Sequence, residues 1–527
     1  MDEAQRPVAS LAFLSALLLT GHVLRARLRF LRLLFLPASC IGGAVGVALV
    51  LASSRLPAGG SSERWVRREL MAGWEELPSF LTNVVFATLV LGRPLPSAAE
   101  LWKVSGPQLA FGQLITFGQY IVTAGVCAVW LIPAYNMPPL FATVIPVGFE
   151  GGHGVVAGLR GSYVKLGYEE GYQLGLVAAT VSLLGGTVFG CIVVNWAARR
   201  GLLAAKKGQE VAPSPATPRP FLGGAEAALL RHRSSGSSFG AFDGIHLPDE
   251  RPSAGVQTVA AESLDSLALH GAVMGVVLGG AWTAKLGANW LEGLSPWLSE
   301  RALISSIPLF PVVLLVAVMC QAVLDRLGAG AAAQLDAATA ERICASAMDF
   351  LIVSAIASMR FDALQEAAAP FAICCGVAFA WSVLSFCLLG RLLPDYWVER
   401  ALTECSLALG ATATALLMLR MMDPDNKTPV LRAFCYKQLI HVSIVGGGAF
   451  TVSSLPLVSA LGPLALLVAA LVAFFGWLLV LLCAFPRADA APAKATNRAR
   501  SDTHSSLLDG GSFIVAGPDT PARGPSI

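Results

Sequence analysis

The first half of the chain carries a glycine-rich run inside an apolar stretch, with a single histidine at its centre: Gly151, Gly152, His153 and Gly154. Such a run disfavours a plain helix, because glycine costs about 1 kcal/mol relative to alanine in a helix interior. Broken backbone at membrane depth is tolerated where it lines a cavity, and its N–H groups can bind an anion. The alternative is close helix packing through small residues. Pro139 and Pro146 bound the region, and for that reason we favour the cavity.

The second half carries a run of small residues with two threonines, and its candidate site residues are Gly410, Ala411, Thr412 and Thr414. Small residues permit close approach of the backbone, and threonine hydroxyls can contact an ion or a carboxylate. The alternative is a helix contact in which the threonines bond to their own backbone. The site interpretation is favoured because this run occupies the same place in its half as the glycine-rich run does in the other.

Oxygen-bearing side chains within apolar segments are the candidate ligands of a cation, because hard cations favour oxygen donors. Asn83 and Asp349 are the two residues that we assign to sodium. For Asp349 a second interpretation stays open, namely a helix-end charge paired with Arg342 or Arg360. We interpret His441, by contrast, as a packing residue.

The composition determines which elements must position these residues. Of 527 residues, 55% are hydrophobic and 13% are charged, against about 25% charged in a typical soluble domain. A soluble enzyme is therefore excluded, and neither a nucleophile–base pair nor a zinc motif is visible. The net charge of +3 without a basic stripe argues against nucleic-acid binding. Long charge-free runs predict a helical membrane protein that crosses the bilayer repeatedly; they are Val104–Phe149, Gly171–Ala198, Ala302–Leu324, Ala367–Gly390 and Gln438–Pro486.

The two halves of the membrane part are predicted to be repeats of opposite orientation. Each contains hydrophobic helices around one irregular stretch, and Phe80–Gly92 is weakly similar to Phe350–Phe361. Units of five helices have odd parity, so the second copy enters the bilayer upside down, as in secondary transporters. The predicted segments are a first membrane repeat (1–198), a flexible cytoplasmic linker (199–262), a second inverted repeat (263–455), an additional transmembrane helix (456–486) and a disordered tail (487–527). Within them, the last two crossings are expected near Arg432–Leu455 and Leu464–Phe485.

Four motifs together resemble the sodium/glutamate symporter family of the bacterial type. They are the segment Leu36–Gly43, the glycine-rich run, Gly185-Gly186 in the following helix, and Glu404–Ala415. Their order and spacing match over most of residues 11–455. The resemblance implies an all-α membrane protein with two inverted five-helix repeats, each with a re-entrant hairpin, and an extra C-terminal transmembrane helix. It also implies a homodimer and an elevator-type movement of the domain that carries the hairpins.

The last of these motifs, Glu404–Ala415, departs from the family pattern at several positions. Glu404 replaces a histidine, Ser406 and Ala408 replace glycines, and Ala413 replaces a proline. Loss of helix-breaking residues is expected to stiffen this hairpin. Glu404 also adds a negative charge beside a site expected to bind an anion.

The resemblance implies sodium-coupled symport of L-glutamate or a related small carboxylate, in the plasma membrane. The glycine-rich run and the threonine-bearing run would bind the substrate, and Na⁺ would be the coupling ion, with no other cofactor. Two alternatives stay open. One is a passive uniporter or channel of the same fold, and the other is a receptor or scaffold that does not transport.

Overall fold

A computed structural model describes most of the chain up to residue 485. The described residues are 5–28, 30–31, 36–53, 71–93, 97–203, 255–260, 262–296, 299, 304–305, 307–328, 330, 334–360, 362–410, 412–423 and 427–485. In these ranges the chain forms helices and no β-strand. Met1–Phe485 pack as one compact unit. The predicted tail (487–527) and most of the predicted linker (199–262) lie outside the described residues.

The first half forms seven helices within the described ranges. They are α1 (Gln5–Arg27), α2 (Ala38–Ser53), α3 (Met71–Thr88), α4 (Ala98–Val126), α5 (Phe141–Gly158), α6 (Arg160–Lys165) and α7 (Glu169–Arg199). A wider π turn (Cys127–Leu131) and a last short turn (Ile132–Tyr135) extend α4.

The second half forms nine helices within the described ranges. They are α8 (Ser266–Gly293), α9 (Phe310–Leu327), α10 (Ala337–Ala357), α11 (Asp362–Leu388), α12 (Trp397–Ala408), α13 (Thr412–Met422), α14 (Val430–Ile444), α15 (Ala449–Leu461) and α16 (Pro463–Ala484). Helix α16 covers the last crossing expected from the sequence, near Leu464–Phe485, whereas the preceding residues 456–461 belong to α15.

Eight segments of the described chain are long and apolar enough to cross a membrane. They are Val8–Arg27, Ala98–Tyr135, Glu169–Arg199, Ser266–Gly293, Phe310–Leu327, Asp362–Leu392, Val430–Leu461 and Pro463–Ala484. Spans of about 20 apolar residues match the thickness of the hydrocarbon core. The prediction of an all-α integral membrane protein is confirmed.

Helices α3 and α10, which carry the two similar sequence segments, pack against each other in antiparallel orientation. Just after the end of α3, Arg93 forms an ion pair with Glu341 in the second turn of α10. A Cβ atom on Gly92 would lie 2.9 Å from the backbone nitrogen of Ala337, the first residue of α10. The end of one helix therefore meets the beginning of the other.

Helix α4 lies at the centre of the molecule and positions polar side chains inside it. Between Ser105 and Tyr120 all of its residues are buried. The added helix α16 packs along α4, and the ring of Phe485 occupies the place that a side chain at Gly106 would need. The amides of Gln108, Gln113 and Gln119 are thus removed from lipid and require partners within the protein.

Candidate functional site

The first helix break lies within the glycine-rich run. Gly152 has φ +61° and ψ −168°, a combination that is essentially restricted to glycine. Thr143 precedes this glycine and Tyr163 follows it, yet Thr143 Oγ1 and Tyr163 OH are hydrogen-bonded at 3.1 Å. An unbroken helix would separate these two residues by about 30 Å, because each residue rises 1.5 Å. The chain therefore reverses direction between Thr143 and Tyr163.

The second helix break lies within the threonine-bearing run, where α12 ends at Ala408 and α13 begins at Thr412. The Gln119 amide donates to the carbonyl oxygen of Ala408 at 3.0 Å, which satisfies one of the free acceptors at a helix end. Gln438 donates to Thr412 Oγ1 at 3.2 Å. Thr414 is buried, and Ala411 lies outside the described residues. The helix is thus interrupted although the run contains no proline.

The two breaks touch each other. A Cβ atom on Gly152 would lie 3.4 Å from the carbonyl oxygen of Gly410. Helix α7 supports this contact, since a Cβ on Gly186 would lie 2.3 Å from the carbonyl oxygen of Leu409. Only glycine fits at that position of α7 without a shift of the backbone. Two runs that lie more than 250 positions apart in the sequence thus meet inside the protein.

A third break separates α14 from α15, within the crossing expected near Arg432–Leu455. Gly446 and Gly447 have φ values of +60° and +105°. A Cβ on Gly447 would lie 2.9 Å from Val155, which follows the first break. Sequence reasoning missed this interruption, although three consecutive glycines in an apolar run signalled it.

A buried ion pair stands beside the second break. Lys437 Nζ lies 2.5 Å from Glu404 Oε2, and their side chains are 0% and 1% exposed. Gln108 donates to the other carboxylate oxygen at 2.9 Å. The negative charge of Glu404 is therefore matched by Lys437, which sequence reasoning did not single out.

A second buried carboxylate precedes the first break. Glu150 Oε1 lies 2.6 Å from His441 Nε2, and both side chains are 2% exposed. The other ring nitrogen of His441 lies 3.3 Å from the amide nitrogen of Gln113. His441, which we interpreted as a packing residue, contacts a carboxylate. Glu150 was missed because it directly follows a charge-free run and so resembles the end of a membrane segment.

The glycine-run histidine and the two predicted sodium ligands lie in different surroundings. His153 Nε2 is 3.0 Å from Thr180 Oγ1 of α7. The Asn83 amide donates to Ser79 O in its own helix at 3.0 Å, while the adjacent Thr82 donates to Gly154 O at 2.8 Å. Asp349 is exposed on α10. The structure thus brings the two runs together, and beside them it places Thr82.

In the described part of the chain, no three His, Cys, Asp or Glu side chains are grouped so that they could hold a metal ion. The free cysteines in these ranges are mostly buried or half-buried in the helices, as expected for small apolar residues.

No protein-family model matches the chain, and no curated protein matches it. The resemblance to sodium/glutamate symporters therefore remains an inference from the four motifs.

Proposed function

We propose that the protein is a sodium-coupled symporter of L-glutamate or a related small carboxylate that works by an elevator-type movement. The observation that carries the proposal is the contact between Gly152 and Gly410 at two breaks in buried helices. Irregular backbone at membrane depth is typical of substrate sites in secondary transporters. By the same resemblance, the protein functions as a homodimer in the plasma membrane.

The two broken segments are re-entrant hairpins in this proposal. In the first, Gly148 and Val156 lie on opposite sides of the break, yet both pack against Gly175 of α7. In the second, Glu404 and Thr412 lie on opposite sides of the break, yet they contact neighbouring residues of α14. Two arms that reach the same level of a neighbouring helix are what a hairpin requires.

The antiparallel contact of α3 with α10 supports two inverted repeats. These helices carry the similar segments Phe80–Gly92 and Phe350–Phe361, and a two-fold axis in the membrane plane relates equivalent helices in opposite directions. The axis would also relate the two hairpins and bring their tips together, as the contact of Gly152 with Gly410 requires.

The second hairpin offers the better-defined anion site. The N-terminus of α13 begins at the tip, and helix N-termini attract anions through free N–H groups and the helix dipole. The hydroxyls of Thr412 and Thr414 add hydrogen bonds, and Gly151–Gly154 approach from the other tip. Because Lys437 compensates Glu404, the substrate carboxylate meets no unbalanced negative charge from that side chain.

Sodium assists substrate binding because a positive charge lowers the electrostatic cost of a carboxylate in a low-dielectric site. The assistance is reciprocal, so bound substrate raises sodium affinity by the same factor. A downhill sodium gradient then drives uptake.

The test is uptake of labelled glutamate into proteoliposomes, with an inward sodium gradient or with choline in its place. We expect saturable uptake that needs sodium and is lost in Thr412→Val. The matched control is Thr283→Val on the exposed face of α8, which should transport as the unmodified protein does. Saturable uptake without sodium would favour a uniporter, and normal uptake by Thr412→Val would contradict the hairpin site.

A further inference from the structure

Several buried oxygen atoms near the third break have no hydrogen-bond partner in the described part of the protein. They are Glu150 Oε2, Gln113 Oε1, Tyr120 OH and Thr451 Oγ1, on side chains that are at most 6% exposed. A buried polar atom without a partner costs about 1–3 kcal/mol. A cluster of such atoms is therefore a candidate binding site for a polar ligand or an ion.

The side chains that carry these oxygens form one cluster. Glu150 and Gln113 contact the two ring nitrogens of the same imidazole, His441, which links the carboxylate to the amide. Tyr120 lies beside Thr451 and Glu150. Thr451 stands in the first turn of α15, directly after the glycine break.

Glu150 brings a buried carboxylate to this group. Its Oε1 contacts Nε2 of His441, and the amide nitrogen of Gln113 contacts Nδ1 of the same ring. The nearby Lys437 is already paired with Glu404. A buried carboxylate without a counter-charge is costly, unless it is paired or coordinates a metal ion.

The geometry points to a sodium ion bound by Glu150, Gln113, Tyr120 and Thr451, with His441 holding the first two in position. The inference rests on the proposed symport and names its ion site. One carboxylate with amide and hydroxyl oxygens suits a hard cation of single charge, because a divalent ion would remain uncompensated. Glu150 directly precedes Gly151 and Gly152, so the bound ion orders the tip that meets the substrate.

Equilibrium binding of ²²Na⁺ to the detergent-purified full chain, without substrate, tests the site. We expect about one ion per chain, displaced by unlabelled Na⁺ but not by choline, and an affinity at least about tenfold weaker in Glu150→Gln. Thr451→Val keeps the charge and should weaken binding in the same direction. Glu170→Gln, at an exposed position of α7, is the matched control, and size-exclusion profiles verify folding.

Unchanged sodium binding by a folded Glu150→Gln or Thr451→Val variant would overturn the proposal. So would absence of binding by the unmodified chain, or stronger displacement by K⁺ than by Na⁺. Glutamate uptake is measured separately in proteoliposomes. Sodium-driven uptake together with unchanged binding in the variants would reject this site while leaving the symport proposal intact.

Discussion

The two helix breaks that meet at the centre are made by different means. At the first, the backbone conformation of Gly152 is one that other residues avoid, and Thr82 caps Gly154 O beyond it. At the second, Gly410 has no such conformation, and the amide of Gln119 together with the pair Glu404–Lys437 holds the ends of the arms.

The difference shows that a helix can be interrupted without a glycine in a left-handed conformation. The second run has Ser406, Ala408 and Ala413 where the family pattern that it resembles has two glycines and a proline, and its helix is interrupted all the same. Gln119 of α4 satisfies one of the carbonyls that the interrupted helix leaves free, and Lys437 and Gln438 of α14 bond side chains on the two arms. One break is therefore encoded locally by glycine, and the other is encoded by distant partners.

The largest expected effect comes from removing the buried cation beside the second break. Lys437→Met leaves Glu404 charged and unpaired in the interior, which should destabilise the protein by about 3–5 kcal/mol. Thermal unfolding in detergent measures this loss of stability. The double variant Lys437→Met/Glu404→Met should regain most of the loss, because no isolated charge remains. If the double variant is no more stable than the single one, the pair does not act as a unit.

Replacing the glycine of each break with alanine should reduce stability to different extents. Gly152→Ala forces a side chain into a conformation reserved for glycine, at a cost of about 1–3 kcal/mol, and should impair uptake. Gly410→Ala requires only a small shift, since its nearest neighbours would lie 3.1 Å from the new Cβ. Thermal unfolding and uptake of both variants test this. Equal losses would mean that the two breaks do not differ in the way described above.

Removing the caps of the freed carbonyls should have a smaller effect. Gln119→Leu uncaps Ala408 O and also loses Ser382, to which the amide donates at 2.9 Å. Thr82→Val removes one hydroxyl, which lies 2.8 Å from Gly154 O and also 2.8 Å from Pro78 O of its own helix and can donate to only one of them at a time. Each uncapped carbonyl costs about 1–3 kcal/mol, with Gln119→Leu the more damaging variant. Greater stability of Gln119→Leu than of Thr82→Val, measured by urea or thermal unfolding, would be the contrary result.

The smallest effect on stability is expected from a partly exposed ion pair, which serves as a reference for the buried pair Glu404–Lys437. Arg432 and Glu100 are 34% and 44% exposed and lie 2.5 Å apart. Glu100→Gln should change stability by less than about 1 kcal/mol, because solvent screens exposed pairs. Thermal unfolding of Glu100→Gln and Lys437→Met under the same conditions compares the two losses of stability. If Glu100→Gln lost as much stability as Lys437→Met, burial would not explain the difference expected between the two ion pairs.

The sequence predicts the helical membrane class and the placement of both runs, because glycine clusters and charge-free segments are local signals. It does not predict the ionic centre. Glu150 and Lys437 stand at the borders of charge-free runs, and their positions along the chain are those of ordinary span ends. Only the folding of the broken segments places both residues inside, where they meet His441 and Glu404.

Helix α16 has a consequence for association of the chain with itself. It lies against α4, with Phe485 over Gly106 and stacked on Trp102 at 5.3 Å, while most of its own surface stays uncovered. A neighbouring subunit therefore cannot reach the glutamine-bearing helix along this flank. Any self-assembly must proceed through a different face, or through the outer surface of this appended segment.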